Sequence, residues 1–347
     1  MSIRRIDHPG RSSGTRLRNR TSAVAAALCF LASGPPAAAG GTIIKISIPG
    51  SSETEAYGIN DSGSITGGWG YAGGAHGFLR AADGTITTFD PPGANVTYGI
   101  GINRKGAICG YWIDYTGSPG HGFLRTAQGE FTTFDPEGSM ETEPFGINDT
   151  GTIDGNYRDK NYVIHGFVRS ADGTIAKFDP RGATETRPLG INAAGTISGY
   201  YKDRSHAYHA FIRATDGTIT RFQVSGSQTL AWSINDSGTV AGSYIDRNTG
   251  LSHGFVRAAD GTITPFDVSD NVSTQGTAIN AEGTIAGGYL DSKGYRYGFL
   301  RSVNGKITTF QVGKSAETEV WRINKNGALV GLYNVGARTI HAFLRTP

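Results

Sequence analysis

The chain has 347 residues, 32 Lys and Arg against 29 Asp and Glu, and 37% hydrophobic residues, enough to bury a core. Its 52 Gly and only two Met argue against long helices and for many tight turns, the composition of an all-β protein. The formal charge of +3 suggests a basic protein, but the excess is confined to one end.

Residues 1–39 carry six Arg (Arg4, Arg5, Arg11, Arg16, Arg18 and Arg20) and Asp7, then the apolar run Val24–Ala32, then "SGPPAAAG". This is the pattern of a secretory signal peptide with cleavage near Ala39. The apolar run is about nine residues, where a membrane span needs about 20, so no membrane span is expected. Leu28 ahead of Cys29 argues against a lipoprotein. Removal of the segment turns the net charge from +3 to −2, which takes away the case for a nucleic-acid partner. The mature chain keeps one cysteine, Cys109, and therefore has no intrachain disulfide. A secreted or periplasmic location and a monomer are expected.

The next stretch, "GGTIIKISIPG" from Gly40, resembles the end of a unit that begins only afterwards. Seven copies of that unit, 43 to 45 residues apart, are marked by Asn60, Asn103, Asn148, Asn192, Asn235, Asn280 and Asn324. Around each Asn stand Thr six before, Ile one before, Gly three after, Gly seven after, and Trp or Tyr nine after. Each unit reads as four short strands: one ending at Ile-Asn, a turn such as "NDSG", a second strand, a variable loop, "HGFLR", a turn at "ADG", and "TITTF". The seventh unit stops after "HAFLRTP" without a fourth strand, and Gly41–Ile48 supplies one. The predicted fold is therefore an all-β, seven-bladed β-propeller over about residues 40–347, four antiparallel strands per blade, with the N-terminal strand closing the last blade. An open solenoid has no use for such a permutation.

The recurring "HGF…R" and "HAF…R" pieces, preceded by "GIN" and a Gly-Thr-Ile segment, resemble the HAF-type extracellular repeat, named for His-Ala-Phe, which stands at residues 209–211 and 341–343. The resemblance covers essentially the whole mature chain and implies export and a propeller. That family carries no settled activity, so it transfers no catalytic residues. Tyr297 replaces the His in the sixth unit.

Candidate sites follow from strand direction. Both tight turns of a unit fall on one face; the variable loops and the crossings between units fall on the other, which is the expected binding face. The crossings bring Glu53, Glu141, Glu185 and Glu317 to one repeat position, and Glu55, Glu143 and Glu319 to another. Such acids suit Ca²⁺, a possible cofactor, or a polyhydroxylated ligand; the plainer reading is a solvated acidic rim. Trp69, Trp112, Tyr157, Tyr201, Tyr244, Tyr289 and Tyr333 share a position in all units and read as packing between blades. Tyr57, Phe145, Trp232 and Trp321 share another with Ile100, Leu189 and Thr277, and are the aromatic candidates for ligand contact, with core filling as the alternative.

Six His (His76, His121, His165, His209, His253 and His341) sit in different units, too far apart for one zinc ion, and read as structural hydrogen-bonding groups. The repeated Arg (Arg80, Arg125 and their equivalents to Arg345) is expected to pair with carboxylates such as Asp90 or Asp135. No nucleophile elbow, zinc-protease motif or phosphate loop is present. Cys109 fills a slot held elsewhere by Thr66, Asp154, Ser198, Ala241, Ala286 and Val330, and reads as a packed small residue. The favoured function is a non-enzymatic binding module for a glycan or other cell-surface polymer, or a surface protein. The alternatives are a polysaccharide hydrolase or lyase using the acidic crossings, with or without Ca²⁺, and a structural scaffold for protein interaction.

Overall fold

The computed structural model describes residues 40–347 apart from 72, 118–119, 225–227, 271, 314–316 and 336–338. The signal-peptide reading of residues 1–39 lies outside the described residues. In the first repeat, Glu53–Ile59, Ile65–Tyr71, Gly74–Arg80 and Ile86–Phe89 form an antiparallel four-stranded meander. Asn60 makes its first turn, its Oδ1 accepting from Ser64 N at 2.9 Å, while Gly63 sits at φ +86°. A side chain would be strained at that angle, which is why the turn ends in Gly. Asp83 does the same work at the second turn, accepting from Thr85 N at 2.8 Å.

The meander recurs along the chain, and the described residues hold 28 strands and no helix. The last repeat supplies only Thr318–Ile323, Leu329–Val335 and Thr339–Thr346. Its fourth strand is Thr42–Ile46, paired antiparallel with the last of these from Thr42↔Thr346 to Ile46↔Ala342. The opening segment therefore takes the place the repeat pattern assigned to it.

One contact repeats between meanders. The Phe of each third strand is fully buried and meets, edge to face, the fourth-strand Phe of the preceding unit: Phe89 and Phe123 have centroids 6.1 Å apart, as do Phe310 and Phe343. In the borrowed strand Ile46 takes the Phe position, and it clusters with Phe78 of the first unit and Ala342 and Leu344 of the last. First and last repeats thus share one core.

The repeated Arg does not pair with Asp90 or Asp135, which corrects the sequence expectation. Arg125 lies over the Phe89 ring at 5.0 Å and donates from Nη1 to Thr126 O at 3.3 Å; Arg345 lies over Phe310 at 5.2 Å. The strand register decides this. Arg80 stands opposite Ile86, four residues along the strand from His76, or about 13 Å.

The carboxylates go to the histidines instead. His76 Nδ1 is 2.6 Å from Asp90 Oδ2 and His121 Nδ1 is 2.7 Å from Asp135 Oδ2, with the same bond at His165–Asp179 and His253–Asp267. Where the repeat has lost this Asp, the partner changes. Beside Gln223, His209 turns to Asp203 at 2.8 Å; beside Gln311, Tyr297 replaces His and reaches Asp291 at 3.4 Å. His341, beside Ser47, has a buried Nδ1 without a hydrogen-bond partner, and burial and Lys45 lower its pKa.

Candidate functional site

The first strands of the units run side by side, so the repeat positions along them form layers. At the tight-turn end, each marker Asn does two jobs. Its Oδ1 accepts from its own turn, and its Nδ2 donates to the backbone oxygen of the next marker Asn at 3.0–3.3 Å, from Asn60 to Asn103 through to Asn280 and Asn324. Asn324 donates in turn to Asn60 O at 3.0 Å, so the series returns to its start. Sequence reasoning found the turn but not the link between units, because the second bond crosses repeats.

Inside this Asn collar is a cavity of about 220 Å³. Its floor is Ile59, Ile102, Ile147, Ile191, Ile234 and Ile279. Its rim is the residue after each Asn: Asp61, Arg104, Asp149, Ala193, Asp236, Ala281 and Lys325. Arg104 Nε contacts Asp149 Oδ2 at 2.5 Å and Asp61 Oδ2 at 3.7 Å, and Lys325 Nζ is 4.0 Å from Asp61 Oδ2. The cavity opens on the face the sequence presents as uniform.

At the crossing end, the predicted acids are gathered but shared out to arginines. Glu141 meets Arg158 at 2.9 Å, Glu185 meets Arg187 Nε at 2.5 Å, Arg187 also reaches Glu143 at 4.0 Å, and Glu319 lies 4.0 Å from Arg296. Glu317 accepts from Asn334 Nδ2, and Glu53 sits half-buried opposite Gly70. Desolvation and then Glu141 push the Glu143 carboxyl up, while Arg187 pulls it down. Arginines thus engage Glu141, Glu143, Glu185 and Glu319. Among the described residues no three His, Cys, Asp or Glu are grouped to hold a metal ion. The signal for Arg187 was in the sequence: it holds the repeat position of Glu55, Glu143 and Glu319, with reversed charge.

The aromatic candidates occupy the next layer inward. Tyr57 is 5% exposed, Phe145 7% and Trp232 3%, so three of the four turn their rings into protein and not toward a ligand; Trp321 is half-buried. Tyr57 packs edge-on against Trp321 at 5.2 Å and donates to Glu55 Oε2 at 2.5 Å, and Trp232 Nε1 donates to Ser243 Oγ at 2.9 Å. Core filling is what the geometry assigns Tyr57, Phe145 and Trp232. The shared second-strand rings pack on the His, or in the sixth unit the Tyr, of their own third strand, Tyr157 on His165 at 5.1 Å for example, and also join clusters with the preceding unit, Tyr157 with Cys109 and Phe134.

Between the aromatic layer and the Ile floor, six units have Gly, Ser or Ala and the last has Arg322. Arg322 donates from Nη2 to Leu189 O at 3.2 Å, from the last unit to the fourth. Asp154 points into the same layer, fully buried, with neither carboxylate oxygen hydrogen-bonded. A β-carbon on Gly146 would lie 2.5 Å from Asp154 Oδ1, so the glycine makes room for it. Desolvation pushes the Asp154 carboxyl up to about 7, with Arg322 opposing the shift. Cys109, in the equivalent slot of the second unit, is a buried free thiol pushed up by desolvation and Asp154.

No protein-family model matches the chain, and no curated protein is similar to it. Among solved structures, the chain is similar to virginiamycin B lyase from Staphylococcus aureus (13% identity, 88% of this chain and 99% of that one, TM-score 0.58). It is similar to the β-propeller domain of the Trilobed protease from Pyrococcus furiosus (9% identity, 84% and 95% covered, TM-score 0.61), described as having an open velcro topology. YCF48 bound to D1 peptide aligns at 9% identity over 90% and 98% of the two chains, TM-score 0.57. These likenesses define the fold: the protein is a β-propeller. Among the described residues no helix is long and apolar enough to cross a membrane.

Proposed function

We propose that this protein is an exported, closed, seven-bladed β-propeller of the HAF-repeat type that binds a surface glycan on its crossing face without transforming it. The blade count is supported by the returning Asn series and by the pairing of Thr42–Ile46 with the last strand. Export rests on the sequence of residues 1–39.

One observation carries the ligand class. The exposed large rings of the propeller stand in or at the edge of the second-to-third-strand connections of different units: Tyr71, the last residue of its strand, at 42% exposure, Tyr115 at 78%, Tyr162 at 71% and Tyr295 at 45%. Tyr71 is held flat against His76, with centroids 5.6 Å and planes 19° apart. A phenol ring has an apolar face and a polar edge, which suits the C–H face and hydroxyl groups of a pyranose. Rings spaced over several units engage a polymer at several points, so weak contacts multiply.

The mature protein on a glycan array, followed by product analysis of each hit, tests this reading. Saturable binding that falls at least tenfold when Tyr71, Tyr115, Tyr162 and Tyr295 are all changed to Ala supports it; binding unaffected by the four changes defeats it. A flat array favours the protein-partner reading instead, for which YCF48 bound to D1 peptide is a propeller precedent. A second reading, polysaccharide cleavage, is favoured by Glu143, a carboxyl raised by burial and placed next to Glu141, as a general acid would be. In that case the array hit yields products, and Glu143→Gln abolishes them while binding persists.

A further inference from the structure

The three Asp of the tight-turn rim hold the same repeat position, and each accepts one backbone hydrogen bond from the unit before it. Lys325 N donates to Asp61 Oδ1 at 3.0 Å, Arg104 N to Asp149 Oδ1 at 2.9 Å, and Ala193 N to Asp236 Oδ1 at 2.8 Å. In the first two cases the donor residue is itself a cation, and its side chain folds onto the same carboxylate. In the third the donor is Ala193, and Asp236 has no ion pair among the described residues. The other neighbour position on this side is Ala281. The repeat thus shows, twice, what belongs above the third carboxylate, and leaves that place open over the Ile191 and Ile234 floor.

We infer that the cup at the tight-turn end receives a basic group on a short apolar stem, an alkylguanidinium or alkylammonium, with Asp236 as its counter-ion. The stem lies on the Ile floor where it leaves water, and the head takes the place over Ala193 that the Arg104 side chain takes over its own unit. The collar does not compete for the ligand, since its Asn groups are occupied by their turns and by one another. Arg104 is a basic side chain whose charge also acts on Asp236. It is drawn first to Asp149, then to Asp61, and only after these to Asp236. Lys325 is held at Asp61. The site is independent of the glycan surface at the other end of the strands, so either reading can fail alone.

The test is titration of the mature protein with n-butylguanidinium, n-butylammonium and n-butyrate, followed by NMR chemical shifts. Both cations are expected to bind with a Kd of a few millimolar, about the strength of a small fragment, and butyrate is not. Asp236→Asn is expected to weaken the cations at least tenfold. Ala193→Arg, which installs a tethered copy of the Arg104 arrangement, is expected to do the same by filling the place. Both positions are in an exposed turn, and an unchanged melting curve shows that the fold is intact. Failure of either cation to shift any resonance at high millimolar concentration overturns the inference. So does equal binding of butyrate, or binding that survives either substitution. A capped Gly-Arg-Gly peptide distinguishes the source: tighter binding than butylguanidinium indicates a basic segment of a partner chain, and weaker binding indicates a free amine.

Discussion

The two ends of the inner strands are built from the same repeat and have opposite characters. At the tight-turn end every unit spends its Asn the same way, so the collar is a closed set of bonds and only the rim residues differ. At the crossing end the position after the repeated Thr runs Glu55, Tyr98, Glu143, Arg187, Leu230, Gln275 and Glu319, a mixture of acidic, basic, amide, aromatic and aliphatic side chains. Repetition makes the frame and departure from it makes the chemistry. The marker Asn, which recurs in every unit, has its partners within and next to that unit, as Asn60 has Ser64 and Asn103. A group that appears once, such as Arg322 or Asp154, must find its partner across the strands or go without.

The largest expected effect breaks the frame itself. Deleting residues 41–48 removes the strand that pairs with Thr339–Thr346 and takes Ile46 and Ile48 out of the shared core. The loss is expected to be about 5 kcal/mol, or about 8 °C in melting temperature for a folded domain of about 300 residues. An unchanged melt would show that the first and last units do not depend on one another.

The next concerns the single-copy chemistry. The Asp154 carboxyl is raised to about 7 in the folded chain, while an unfolded aspartate titrates near 3.9. Between these values the folded chain keeps a proton that the unfolded chain has released, so stability falls as pH rises from about 4 to about 7 and stays lower above that. Asp154→Asn is expected to remove this slope, gaining up to about 4 kcal/mol at pH 8 relative to its effect at pH 4. Urea unfolding at the two pH values measures it, and parallel behaviour of parent and variant would contradict the burial argument.

The smallest tests the collar. Asn192→Ala removes the bond to Asn235 O at 3.1 Å and the turn bond from Thr196 N at 2.9 Å, leaving the Thr196 amide without its acceptor while Asn235 O keeps the bond from Gly238 N. The expected cost is about 2 kcal/mol, independent of pH, and thermal unfolding at two pH values separates it from the Asp154 effect.

Much of the fold was legible because its causes are local and repeated. Gly at positive φ, Asn and Asp closing their own turns, and period-two strands around Phe78 and its equivalents recur often enough to fix the strand count per unit. The borrowed strand Gly41–Ile48 was legible for the same reason, as a fragment out of phase with its own repeat. The aromatic candidates Tyr57, Phe145 and Trp232 were found as variable positions, but sequence does not tell a variable surface residue from a variable residue in a packed interior. The exposed rings at Tyr115 and Tyr162 lie in the variable loops that the sequence placed on the binding face, but these loops have no repeat position to compare, so the pattern marked the loops and not the rings.

The sequence by itself determined the all-β repeat, the four-stranded unit and the strand lent by the N-terminus, since each rests on residues within about 45 positions of one another or on a pattern compared with itself. The tertiary structure decided which partners meet across units. It gave the histidines the carboxylates expected of the arginines, set six of the seven repeated Arg on the preceding unit's Phe, gathered the Asn collar around an Ile floor, and left Asp236 without the cation its equivalents have. These outcomes depend on strand register and on stacking between units, where a four-residue offset is about 13 Å, and register is a property of the assembled sheet.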